Sequence, residues 1–357
     1  ISPFLQKRGT TCRVEELLTV FSWNSMKTLL NRIFLSLVCL GIFATISISS
    51  TPTVKGSSMF EFPKLTGQYA VGTASRHVVD LARQEPCNPS VRREFMVELW
   101  FPTAGKPNET CTAYCPEEIP QAKKELLQAG YPEEDLAQLD TLLTSVRPNK
   151  PPLQSKTPYP VILFSHGYLG GTPWAYSVFL AELASYGYIV AAIAHTYFAS
   201  CVTFPDGRAI TMDMEKTQNW SFERMCSDQD IWVKDAQCAL DALEKINFDP
   251  IDVFYGLLDM NKVGMFGHSF GGSTSFLMCL KDVRVKAGIN LDGSLQCNES
   301  PKELTKPFIF MWADSSANQW NMTNQELAQK FNSSEESIQK FRTAFENSND
   351  IATNPNI

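Results

Sequence analysis

Apolar residues along this chain gather in two kinds of stretch. Short, nearly unbroken apolar runs recur at 159–165 (YPVILFS), 188–194 (YIVAAIA), 263–267 (VGMFG), 285–291 (VKAGINL) and 306–311 (KPFIFM). Each is too short for a helix and lacks alternation, which predicts strands buried on both faces of a parallel sheet. Two earlier segments, 68–73 (QYAVGT) and 93–101 (REFMVELWF), alternate instead and predict an antiparallel pair. Helical spacing fills the gaps. Residues 173–186 place Trp174, Val178, Phe179, Leu180 and Leu183 at such intervals, and 230–246 place Ile231, Ala236, Leu240, Leu243 and Ile246 on one face. Residues 272–280 are small and apolar, as in a buried helix, and 326–345 are helical in pattern. Strands alternating with helices predict an α/β protein with a mostly parallel sheet. No internal repeat is present.

The segment 103–157 breaks this rhythm with clustered prolines, two cysteines and helix-like pieces at 122–128 and 133–144. It is expected to be an inserted excursion within one domain spanning 51–357, either decoration or a lid. Upstream, Met26, Lys27 and Arg32 precede an almost continuously apolar run at 33–48, then Ser49 and Ser50. This is the pattern of a secretory signal peptide. The run is short for a spanning helix, which needs about 20 residues; an uncleaved anchor is the alternative. Residues 1–25 precede this start-like methionine and are set aside from the fold.

Composition narrows the field further. With 357 residues, a net charge of −7 and 44% hydrophobic residues, the chain is neither disordered nor fibrous. No basic stripe suits nucleic acid. Of ten cysteines, eight remain once Cys12 and Cys39 are set aside. An even number after a signal peptide permits disulfides, although Cys238 and Cys279 fall in apolar helical patterns that suit buried thiols. Cys111 and Cys115 lack the second ligand pair that zinc requires. Glycosylation sequons stand at Asn108, Asn219, Asn298, Asn321 and Asn332.

The chemistry concentrates at 262–272, KVGMFGHSFGG. A strand, then Gly267-His268-Ser269-Phe270-Gly271, then a helix is the nucleophile elbow, with Ser269 as nucleophile. Gly267 and Gly271 are expected because a Cβ at either would collide with the neighbouring strand or helix. The strand at 159–165 runs into His166-Gly167-Tyr168, a usual source of one oxyanion-hole amide. The Tyr168 and Phe270 backbone N–H groups are therefore the candidate donors, with His166 and Gly167 in support. His166 itself is expected to be structural, its ring bonded to backbone. Asp292 ends the strand after the elbow and is the candidate triad acid; an Asp-Gly turn is the bland alternative, and Asp314 is the second choice.

The stretches FSHGYLGG, IVAAIAH, WVKDAQCALDAL and GHSFGG followed by NLD together resemble the platelet-activating-factor acetylhydrolase family. The resemblance covers roughly 66–313. It implies an α/β-hydrolase fold and a secreted or lipid-associated, calcium-independent esterase that removes short or oxidised acyl chains from phospholipids. It also implies Ser269 as nucleophile, Asp292 as acid, Tyr168 and Phe270 as oxyanion donors, and no metal or organic cofactor. Lipid or small-ester substrates and contact with a lipid surface are the implied partners. Related esterases and polyester hydrolases share much of the pattern, and acyl transfer is a further alternative.

One departure stands out. The triad order in this fold is Ser, Asp, His, yet the histidines are His77, His166, His195 and His268, all before Asp292. The expectation is that the base and the last strand lie beyond Ile357. His195 as a substitute base, or a non-catalytic hydrolase-like binding protein, are the alternatives.

Overall fold

In a computed structural model of the chain, the described residues are 62–109, 112–113, 123–124, 127, 133–137, 143–168, 170–212, 221–295, 304–314, 316 and 321–353. Residues 1–25, the apolar segment at 26–50, Cys111, Cys115, Cys297, Asn219, Asn298 and most of the helix expected at 122–128 lie outside them. None of the described helices is long and apolar enough to cross a membrane.

An eight-stranded sheet organises the chain. Its strands are β1 (Ala70–Glu85), β2 (Asn88–Thr103), β5 (Val146–Pro148), β6 (Tyr159–Ser165), β7 (Ile189–Ala194), β10 (Leu258–His268), β11 (Val285–Leu291) and β12 (Phe308–Met311). Short pairs β3 (Thr112–Ala113) with β4 (Leu143–Thr144), and β8 (Cys201–Thr203) with β9 (Ala209–Thr211), lie outside it. The order across the sheet is β12-β11-β10-β6-β7-β2-β1-β5. The five strands from β12 to β7 run parallel, and β2 is antiparallel to both neighbours.

The unbroken apolar runs are explained by helices on both faces. Val161, Leu163, Ile189, Ala191 and Met265 pack toward α2 (Phe222–Phe248) and α3 (Phe270–Lys281). Their neighbours Ile162, Phe164, Val190, Ala192 and Phe266 pack toward α1 (Ser177–Ser185). Each fully buried Leu, Ile or Phe contributes about 1.5–3 kcal/mol. Two further helices, α4 (Asn324–Phe331) and α5 (Glu335–Thr353), follow the last strand. This is the α/β-hydrolase arrangement, and it gathers the carboxyl ends of β6, β7, β10, β11 and β12 on one edge.

Several boundaries differ from expectation. The first two strands extend into a long hairpin closed at Pro86 and Cys87, with Glu85 opposite Asn88. Its outer half lacks apolar alternation because ion pairs, such as Arg83 with Asp80 and Asp235, hold it instead. The helix expected over 133–144 stops at Leu136, and Leu143–Thr144 is strand β4. The excursion also supplies β5, which pairs with β1 at the sheet edge far from β10. The helix expected from residue 230 begins at Phe222, capped by the Ser221 side chain, which accepts from Arg224 N–H. The helical tail is two helices, because Asn332 takes a left-handed conformation (φ 46°) that ends α4.

Candidate active site

Ser269 stands between the end of β10 and the first turn of α3, with φ 53° and ψ −119°. Such a conformation costs on the order of 1–3 kcal/mol and persists only where surroundings impose it. Here the Ser269 N–H donates to Leu291 O at 2.7 Å, tying the elbow to β11. A Cβ on Gly267 would strike the Gly271 backbone, and one on Gly271 would strike the carbonyl oxygens of Ser165 and His166. Both glycines are therefore required by close approach. Ser273 N–H is the first amide of α3 to donate back to Ser269 O. The Phe270 N–H, ahead of it, belongs to the unpaired first turn, where the helix favours negative charge.

Tyr168 lies in the loop after β6. Its hydroxyl donates to Asp228 Oδ2 at 2.6 Å, and Arg224 Nε donates to the same carboxylate at 2.8 Å. Its ring meets Phe270 at 4.9 Å, and both rings also meet Trp232. Both candidate oxyanion residues thus anchor their side chains in one aromatic cluster, which also holds Phe198 and Met225, with Phe341 of α5 packed against it.

Asp292 ends β11 with φ 59°. Its carboxylate accepts from Ala313 N–H at 2.9 Å and from Ser316 Oγ at 2.6 Å. Burial raises its pKa above the ordinary carboxylate value, and these two donors oppose the rise. Asp314, the second choice, is exposed.

Each of the four histidines has a hydrogen-bond partner other than Ser269. His77 pairs with Glu94 at 2.7 Å. His166 is fully buried, with Nδ1 bonded to Gly167 O at 2.7 Å, and burial takes its pKa down to about 3. His268 turns to the Tyr176 hydroxyl at 2.8 Å, and burial lowers its pKa to about 4. His195, the alternative base, is engaged with Ser165 and Asp235. Its ring is fully buried against Trp232 (centroids 3.9 Å apart), with Nε2 bonded to Ser165 Oγ and Nδ1 to Asp235.

Asp235, Arg93 and Tyr176 escaped the sequence reading. Arg93 is completely buried and donates to Asp235 Oδ2 and Glu85 Oε2, each at 2.6 Å. The available signal was Asp235 itself, a carboxylate one residue before Ala236 on the apolar face of a helix. Among the described residues, no group of His, Cys, Asp or Glu is arranged to hold a metal ion.

The sequence matches the profile of the platelet-activating factor acetylhydrolase, isoform II family over residues 54–247 and 242–344. The platelet-activating factor acetylhydrolase of Cavia porcellus is 32% identical over 256 residues, 64% of this chain and 55% of that protein. A probable 1-alkyl-2-acetylglycerophosphocholine esterase of Arthroderma benhamiae is 33% identical over 137 residues, 38% of this chain and 32% of that protein. The matches thus span about half of the first relative and a third of the second. Among solved structures, a ferulic acid esterase from Streptomyces cinnamoneus aligns with a TM-score of 0.59 at 27% identity, covering 74% of this chain and 72% of that one. The chain belongs to the platelet-activating factor acetylhydrolase, isoform II family.

Proposed function

We propose that the protein is a secreted serine esterase that removes short acyl groups from phospholipids or similar lipid esters. Ser269 Oγ attacks the ester carbonyl while a general base takes its proton. The oxyanion so formed accepts from the Tyr168 and Phe270 N–H groups. Collapse expels the alcohol, which takes the proton back from the base, and leaves an acyl-serine. Water, deprotonated by the same base, then releases the carboxylic acid and restores Ser269. Asp292 orients the base and stabilises its cationic form. The base is a histidine outside these 357 residues, a reading supported by the engagement of all four histidines elsewhere. The reaction uses side chains and amides alone, with neither metal nor organic cofactor. The apolar segment at 26–50 supports secretion, and the chain acts at a lipid surface rather than on nucleic acid.

The observation that carries this reading is Ser269 held at φ 53° at the head of α3. Family membership and the relatives' printed names direct it to acetylated glycerophospholipids. A hydrolase-like binding protein is the competing reading, favoured by the missing base. One experiment separates them: the full-length protein is given 1-alkyl-2-acetylglycerophosphocholine and, in parallel, a long-chain diacyl analogue. Catalytic release of acetate, with far slower cleavage of the analogue, is expected. Tight binding without release would establish the binding protein, and equal cleavage of both would overturn the short-acyl assignment.

A further inference from the structure

Gly167 is held by side chains on both of its peptide groups. Its N–H donates to the Tyr176 hydroxyl at 3.3 Å. Its carbonyl accepts from His166 Nδ1 at 2.7 Å. The second contact bears on the reaction, because the Gly167 carbonyl and the Tyr168 N–H belong to one planar trans peptide and point in opposite directions. Fixing that oxygen fixes the direction of the amide assigned to the oxyanion.

The partners are themselves constrained. His195 N–H donates to His166 Nε2 at 3.2 Å, so Nε2 is the acceptor and Nδ1 carries the proton. The neutral ring in this tautomer satisfies both contacts, donating to the Gly167 carbonyl and accepting from His195 N–H, and burial keeps it neutral. The Tyr176 hydroxyl, having accepted from Gly167, donates onward to His268 Nδ1 at 2.8 Å. His268 adjoins Ser269. One hydroxyl therefore joins the oxyanion loop to the nucleophile elbow. A Cβ on Gly167 would come within 3.0 Å of His268 Nδ1, so glycine permits the close approach. Glycine also leaves the loop free to rotate, which makes outside restraint necessary.

We infer that Tyr176 and His166 are positioning residues that clamp Gly167, aim the Tyr168 N–H at the developing oxyanion, and set its spacing from Ser269. The inference rests on the esterase reading above. The clamp acts on the transition state, whose oxygen moves toward the donors as charge develops. Its loss should lower kcat and spare KM.

Tyr176→Phe removes the hydroxyl and keeps the ring that packs on Phe164 (centroids 4.7 Å). His166→Leu removes the donor to the carbonyl, and His166→Asn returns an N–H near the Nδ1 position. Each is made in the full-length protein. The measurements are kcat and KM on a short-chain ester and the rate at which a fluorophosphonate labels Ser269. Tyr176→Phe and His166→Leu are expected to lose about tenfold or more in kcat, with KM within about twofold and labelling slowed in proportion. His166→Asn is expected to regain most of the loss. Should His166→Leu fail to fold, Tyr176→Phe decides the matter. Wild-type kcat in Tyr176→Phe, or a change confined to KM, would overturn the clamp alone. A wild-type protein that is neither labelled at Ser269 nor active would overturn the esterase reading and the clamp with it.

Discussion

Ser165 Oγ donates to His195 Nε2 across 2.8 Å, and His195 Nδ1 donates in turn to Asp235 at 2.9 Å. The chain thus contains a Ser-His-Asp sequence of hydrogen bonds apart from Ser269. All three side chains are completely buried, and the aspartate also serves Arg93 and Arg83. Asp235 is held ionised, with a pKa well below the ordinary carboxylate value: burial opposes ionisation, but the Arg93 charge and the His195 and Arg93 hydrogen bonds outweigh it. The assembly pins the β1–β2 hairpin and the end of β7 to α2.

The first prediction concerns that assembly. Asp235→Ala leaves Arg93 buried without its main partner, and removing one member of a buried pair costs about 3–5 kcal/mol. Chemical denaturation should show a loss of that size or outright failure to fold. A change within about 0.5 kcal/mol would show that the network contributes no net stability.

Acid sensitivity is the second. His166 and His268 have folded pKa values of about 3 and about 4, and that of His195 is also lowered, all by burial. An unfolded histidine titrates near 6.5. Below that pH the unfolded chain takes up protons that the folded chain refuses, so stability falls as pH falls. Each such histidine contributes a slope of up to about 1.4 kcal/mol per pH unit between about 6.5 and its folded value. Most of this window lies above ordinary carboxylate titration. Urea midpoints at pH 7 and pH 5 should differ clearly, and His268→Gln should shrink the difference. Equal midpoints would contradict the burial argument.

Asp292 supplies the third. Asn in its place keeps the shape and removes the charge that would stabilise a cationic base. Catalysis should fall about 10⁴-fold with folding retained. Ser316→Ala removes one donor to the carboxylate and leaves its charge, so the loss should be much smaller. Comparable losses in the two variants would point to a structural role for Asp292.

Most of the architecture was legible because the sheet is covered on both faces. Strands β6 and β11 have the bounds that the apolar runs predict, since nearly every residue in them is buried under a helix or a neighbouring strand; Lys286 is the exposed exception. The β1–β2 hairpin was legible only in its inner half, because beyond it Arg83 replaces apolar packing with a charge whose partner Asp235 is distant in sequence. The tail at 326–345 is legible as helical, but its division is not, because Asn332 ends α4 through backbone conformation, which leaves no trace in periodicity. At the site, Ser269, Gly267 and Gly271 were legible because the elbow is a local structure with a steric need for glycine. Tyr176 and Asp235 were hidden for the opposite reason. Their hydrogen bonds, to Gly167 nine residues away and to His195 forty residues away, leave no mark in periodicity.

Everything proposed for the site depends on Ser269 as the nucleophile. The most direct measurement treats the full-length protein with a fluorophosphonate, then follows intact mass and peptide mapping. One added phosphonyl group is expected, on Ser269, with activity lost in step and Ser269→Ala unlabelled. Stoichiometric labelling of another residue, or full activity in Ser269→Ala, would contradict it.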